Sequence, residues 1–195
     1  IITNGETNGG KINEIGVSAS NPDVIYFTDD ANVFKTTDGG NNWTQINNNL
    51  PYKYISYIIV HPTDENKAWV TFSGYTAGEK VYKTFDGGNN WINISGTLPN
   101  LPVNCIELDK NDSLEIVYIG TDLGVYRSDS TLNDWNQFNN NSLPNVIVTE
   151  LEIQYQSNKL IAATYGRGLW NINLEITSPP IANFSYSDSV FCYTP

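Results

Sequence analysis

The sequence predicts an all-β chain built as β-propeller blades, about four of them. Three observations carry this. The octapeptide Thr-x-Asp-Gly-Gly-Asn-Asn-Trp occurs twice, at Thr36–Trp43 and Thr84–Trp91, and the two tryptophans lie 48 residues apart. Self-similarity at such a period marks an array of one small supersecondary unit per repeat. Around the octapeptides run short apolar segments separated by turn formers, and no segment sustains a helical period.

The first repeat, 11–50, reads as strands over 13–19, 24–28, 32–36 and 43–46, with a turn at Asn21-Pro22-Asp23. The second, 51–100, reads as 55–60, a turn at His61-Pro62-Thr63-Asp64, then 68–72, 80–84 and 91–94. In the third, 101–144, strands are expected over 103–108, 116–120, 124–127 and 135–138. The fourth, 145–175, offers three: 146–154, 160–164 and 169–174. Second strands such as Val24-Ile25-Tyr26-Phe27 and Ile116-Val117-Tyr118-Ile119 are almost continuously apolar, as strands buried on both faces are. Four-stranded antiparallel sheets repeated radially describe a propeller.

The octapeptide itself is turn chemistry. Gly39-Gly40 and Gly87-Gly88 supply positive φ without a Cβ penalty. Asp38 and Asp86 can accept hydrogen bonds from amides of their own turns, and Trp43 and Trp91 are expected to fold over those turns. Each indole would bury apolar area worth roughly 2–3 kcal/mol. Thr36 and Thr84 open the two motifs. The third copy keeps Trp135 but has Ser130 in place of the Asp and Thr131-Leu132 in place of the glycines, so its turn should be longer or differently capped.

Residues 1–10 look like a connector or the tail of a preceding blade, and Ile176 to Pro180 like a linker. Methionine is absent, position 1 included, so the chain is expected to begin inside a longer polypeptide, as the C-terminal blades of a larger ring. A closed ring of four blades would contradict that.

Formal net charge is −11 with ten Lys plus Arg in 195 residues, scattered singly. Nucleic-acid binding needs clustered cations, so it is not expected. Nor is membrane insertion, because no apolar run approaches the roughly 20 residues of a span. Charged residues make up 16%, with abundant Asn, Thr, Ser, Gly and Tyr, which suits an extracellular β protein. Cys105 and Cys192 form no framework, and Cys105 reads as a buried free thiol. No metal or cofactor constellation is present, and His61, the only histidine, reads as a surface turn residue.

The octapeptides, complete twice and in outline a third time over 11–175, resemble the Asp-box or BNR repeat of sialidases, sortilin-type receptors and xyloglucanases. In such proteins the box is structural, and ligands bind the opposite loops. The resemblance therefore implies a ligand face made of loops between second and third strands, carrying Asp29, Asp30, Tyr75, Glu79, Asp122, Tyr165 and Arg167. Aromatic and acidic groups there could engage glycans or peptides. Sialidases use three arginines and a Tyr/Glu pair, whereas this chain has only Arg127 and Arg167. Xyloglucanase-like propellers use two loop Asp residues, for which Asp29, Asp30 and Asp122 are the candidates.

Residues 181–195 resemble the opening strand of a PKD-type immunoglobulin-like module. Ser113, Ser130 and Ser189 stand in Asp-Ser/Thr-apolar contexts resembling O-glycosylation acceptors of Bacteroidota surface proteins. The expectation is a non-catalytic interaction segment of a large secreted or surface protein, whose partners include its other domains. The alternative is the C-terminal half of a glycoside hydrolase propeller.

Overall fold

A computed structural model describes residues 11–132, 134–139 and 142–174. The expected connector at 1–10, the linker and module start at 176–195, Ser189 and Cys192 lie outside the described residues. Four antiparallel sheets form in chain order. The first contains β1 (Glu14–Val17), β2 (Ile25–Thr28), β3 (Val33–Thr36) and β4 (Thr44–Gln45). The second contains β5 (Ile55–Val60), β6 (Ala68–Phe72), β7 (Val81–Thr84) and β8 (Ile92–Asn93). The third contains β9 (Val103–Leu108), β10 (Val117–Thr121), β11 (Gly124–Ser128) and β12 (Asn136–Gln137). The fourth has only β13 (Val148–Gln154), β14 (Lys159–Thr164) and β15 (Gly168–Asn173). The expected strands are all present, with bounds within two residues of those read, and the outer strands of the first three sheets pair through two residues each.

Every residue of β6 and β10 is buried, as expected for strands covered on both faces. Three apolar clusters fill the spaces between consecutive sheets. Val24, Tyr26 and Val33 meet Ile58, Val70 and Trp91; Trp69 and Val81 meet Ile106, Ile119 and Trp135; Tyr118 and Phe138 meet Leu151, Leu160 and Ile172. The innermost strands pack in the sequence β1 on β5, β5 on β9 and β9 on β13, and among the described residues no comparable packing joins the first and last sheets. The described residues thus form an open arc of propeller blades. Cys105 is buried and unbridged at the third interface.

The octapeptide turns are closed by their own carboxylates, with one addition. Asp38 accepts from the Asn42 amide at 2.9 Å, the Asn42 side chain at 2.7 Å and the Thr36 hydroxyl at 2.7 Å. Asp86 repeats this with Asn90 and Thr84. These bonds, those from the Asn42 side chain and amide foremost, hold the Asp38 carboxyl at about 2. The added component is the asparagine pair, since Asn41 and Asn89 also clasp the Asp38 and Asp86 carbonyls. Gly39, Gly40, Gly87 and Gly88 all take positive φ, from 69° to 93°.

One expectation about these turns needs correction. Trp43 does cover its own turn, donating to the Gly40 carbonyl at 3.1 Å. Trp91 and Trp135 do not bond to theirs: each donates at 2.7 Å to a carbonyl of the preceding blade, Ile46 and Ile94. The indole is therefore a staple between blades wherever a preceding blade stands. The third turn has the same length as the others and is capped from a different residue. Asp129, one position before Ser130, accepts from the Thr131 amide at 2.9 Å, the Leu132 amide at 3.1 Å and the Thr131 hydroxyl at 2.6 Å. Asp134 then ties that turn to the second blade through the Thr97 amide, at 2.7 Å.

Candidate functional site

Antiparallel strands place the octapeptide turns at one end of the sheets and the loops between second and third strands at the other. All seven candidate ligand residues fall in or beside these opposite loops. The structure distributes them unevenly. Asp29 is buried and its Oδ1 accepts from the Asn32 amide at 2.9 Å, the Ala31 amide at 3.2 Å and the Asn32 side chain at 2.8 Å. That carboxylate closes its own turn, which corrects its reading as a ligand group. Asp30 is exposed beside it, and its carbonyl receives the Ile55 amide at 2.9 Å.

Tyr75 and Asp122 are brought together from different blades. The Tyr75 hydroxyl donates to Asp122 Oδ2 at 3.1 Å, while Asp122 Oδ1 accepts from Asn104 Nδ2, also at 3.1 Å. Asn104 donates in addition to the Val148 carbonyl of the last blade, at 3.1 Å. A hydrogen-bonded chain thus crosses the second, third and fourth blades at the loop face. The bond to Asp122 and its charge raise the Tyr75 phenol above its usual range, keeping it a donor.

Glu79 pairs with Lys53 from the first interblade connection, where Tyr52 and Tyr54 flank the lysine and stand exposed. Beneath this loop the buried Lys80 ammonium donates to the Gly74 carbonyl at 2.6 Å. Tyr165 and Arg167 are exposed in the last blade's loop, which is joined to the connection before it by the Tyr165 amide donating to Ile147 O at 2.9 Å. Asn104, Lys53, Tyr52 and Tyr54 are not among the site residues expected from sequence. For the tyrosines a signal exists in the cluster Tyr52-Lys53-Tyr54; for Asn104, inside a strand, there is none.

Sequence reading also misses the acids on the innermost strands. Tyr57 of β5 donates to Glu150 Oε1 of β13 at 3.0 Å, across 93 residues. Burial, then the Glu150 and Glu14 charges, push the Tyr57 phenol further from ionisation. That is the opposite of what an oxygen nucleophile requires. Burial raises the Glu107 carboxyl to about 7, Lys110 opposing and Glu152 and Glu150 adding to it. Burial is also the chief cause of the raised Glu14 carboxyl, with Glu150 contributing.

The opposite end holds a different cluster. His61 is not a plain surface residue as expected, since its ring lies over Trp69 at 6.2 Å and its Nε2 is 3.8 Å from Glu115. Glu115 accepts from Lys67 and Lys83, each at 2.6 Å, and Lys83 lies over the Trp69 and Phe85 rings. A cavity of about 630 Å³ opens here between the second and third blades, bounded by Trp69, Phe85, Leu132 and Trp135. At the preceding interface Gly88 sits so close to Ile46 that a Cβ would lie 2.3 Å from its Cδ1. Leu132 holds the equivalent place in the third turn and lines the cavity with Ile94. Lys83, Glu115, Asp129 and Asp134 on this wall are already engaged with protein partners. Ser113 and Ser130 are accessible at this end.

No group of His, Cys, Asp and Glu among the described residues could hold a metal ion, and no described helix is long and apolar enough to cross a membrane. No protein-family model matches the sequence. No curated protein matches it either. Solved structures do match, and they show the β-propeller fold. The extracellular domain of a putative one-component system from B. thetaiotaomicron aligns with a TM-score of 0.65 at 18% identity, over 87% of this chain and 21% of that one. A GH74 xyloglucanase from Xanthomonas campestris gives 0.61 at 14%, over 78% and 26%. YCF48 bound to D1 peptide gives 0.56 at 15%, over 82% and 50%. The chain thus spans about a fifth to a half of the length of these propellers.

Proposed function

We propose that the chain is a non-catalytic, extracellular part of a larger propeller that binds protein or glycan ligands through its loop face. The observation that carries this reading is the Tyr75–Asp122–Asn104 chain across three blades, set among exposed Tyr52, Tyr54 and Tyr165. Tyrosine offers a flat apolar face with a polar tip at small entropic cost, which suits both sugar rings and peptides. Proteins of the same fold include one solved with a bound peptide and one that is a sensor's extracellular domain, both compatible with this use.

Screening against glycan and peptide arrays tests it. Tyr75→Ala combined with Tyr165→Ala should weaken any ligand found by roughly tenfold or more, as loss of aromatic contacts does. Unchanged binding would remove the loop face from the reading.

The glycoside hydrolase alternative is favoured by one specific observation, the crowded inner-strand carboxylates Glu14, Glu107 and Glu150 in a fold shared with a xyloglucanase. The raised Tyr57 phenol and the engagement of Asp29 in its turn weigh against it. Export to the cell surface would bring Ser113 and Ser130 before a glycosylation machinery, and both are accessible. Intact mass of the exported protein should then exceed the sequence mass by whole hexoses; an unmodified mass would discard these acceptors.

A further inference from the structure

The inner strand of each later blade meets the preceding blade through the same register position at all three interfaces. Ile58, Ile106 and Leu151 hold equivalent register positions on β5, β9 and β13, opposite Val70, Ile119 and Ala162 of the neighbouring strand. They are 1%, 1% and 2% exposed. Ile15, opposite Phe27, is the same position in the first blade and is 52% exposed, with Val17 beside it at 54%. The tryptophans repeat the contrast: Trp91 and Trp135 are buried and bonded to the preceding blade, whereas Trp43 is half-buried and bonded to its own turn. An apolar hollow of about 260 Å³ remains between Ile15, Val17, Phe27 and Trp43.

We propose that this face is the docking surface for a further four-stranded blade of the same repeat, whose outer strand offers a carbonyl to Trp43 Nε1. Continuity with three existing interfaces identifies the occupant. The first blade has the apolar floor and the indole donor that its successors use, and lacks only the partner surface. A second copy fits less well. Among the described residues the last blade has three strands and shows no counterpart of the Ile46 carbonyl, and Leu169 and Asn171 leave its third strand mixed and exposed. The inference rests on the reading of the chain as part of a larger propeller and is independent of what the loop face binds.

Joining a copy of residues 11–50 ahead of Ile1 supplies such a blade. The extended chain is expected to melt at least roughly 2–4 °C higher than the 195-residue chain, the scale on which even a modest new interface registers in a domain of this size. Ile15→Asp with Val17→Asp, in the original repeat only, should cancel that rise while moving the unextended chain by no more than about 1–2 °C. No rise, or a rise that survives the two aspartates, overturns the proposal. Light scattering on the unextended chain covers the other occupant: a stable dimer dissociated by Ile15→Asp would give the face to a second copy and also overturn it.

Discussion

Trp91→Ala is expected to destabilise the chain by about 3–5 kcal/mol, the range for removing a large buried aromatic side chain. Trp91 is 3% exposed, fills the space between the first and second blades and donates to the Ile46 carbonyl. Its loss leaves a cavity and an unpaired buried acceptor together. Trp43→Ala, which removes a half-buried ring bonded within its own turn, should cost clearly less, about 1–2 kcal/mol. Urea unfolding followed by circular dichroism separates the two. Equal costs at the two positions would contradict the staple, because the octapeptides themselves are nearly identical. In a repeat array stability is a sum of unit and interface terms, so Trp91→Ala should also make unfolding less cooperative, releasing the first blade early.

Glu115→Gln is the second large effect, expected at about 1–3 kcal/mol near neutral pH. Glu115 accepts from Lys67 on the second blade's first turn and from Lys83 on β7, so it holds the third blade to the second. Burial by itself would raise its carboxyl, but the bonds and charges of Lys67 and Lys83 outweigh that and hold it at about 2, against 4.5 in the open chain. A carboxyl depressed on folding stabilises the native state above its unfolded value and loses that contribution as pH falls toward the folded one. The stability difference between the parent chain and the Glu115→Gln variant should therefore be full above pH 4.5 and shrink between about 4.5 and 2. Melting temperatures across that interval test it, and a pH-independent difference would show that the ammonium pairs are not its source. Removing the carboxylate also leaves Lys83 between two aromatic rings without its counter-charge, which fixes the direction of the effect.

The parts legible in the sequence are those whose causes lie within a few residues. The Asp38 and Asp86 caps, the Gly-Gly turns and the two-face burial of β6 and β10 follow from local turn chemistry and apolar runs. The cap of the third turn escapes a sequence reading because Asp129 does from one position earlier what Asp38 does in place, and hydrogen-bond reach tolerates such a shift. Of the candidate ligand residues, Asp29 misleads because a carboxylate at a loop start serves a turn as well as a ligand. His61 misleads because Trp69 and Glu115, which enclose it, come from different strands and blades.

The blades, their strands and the end at which each loop emerges follow from alternation and turn residues, which act over two to eight positions. Packing between blades sets the rest: which blade each indole staples, that Tyr75 and Asn104 both reach Asp122, that Tyr57 reaches Glu150, and that the first blade's apolar face stands open. Those contacts join residues from 18 to 93 positions apart. They depend on how the sheets fan about one axis, a geometry set by the packing of whole faces and carried by no single segment of the chain.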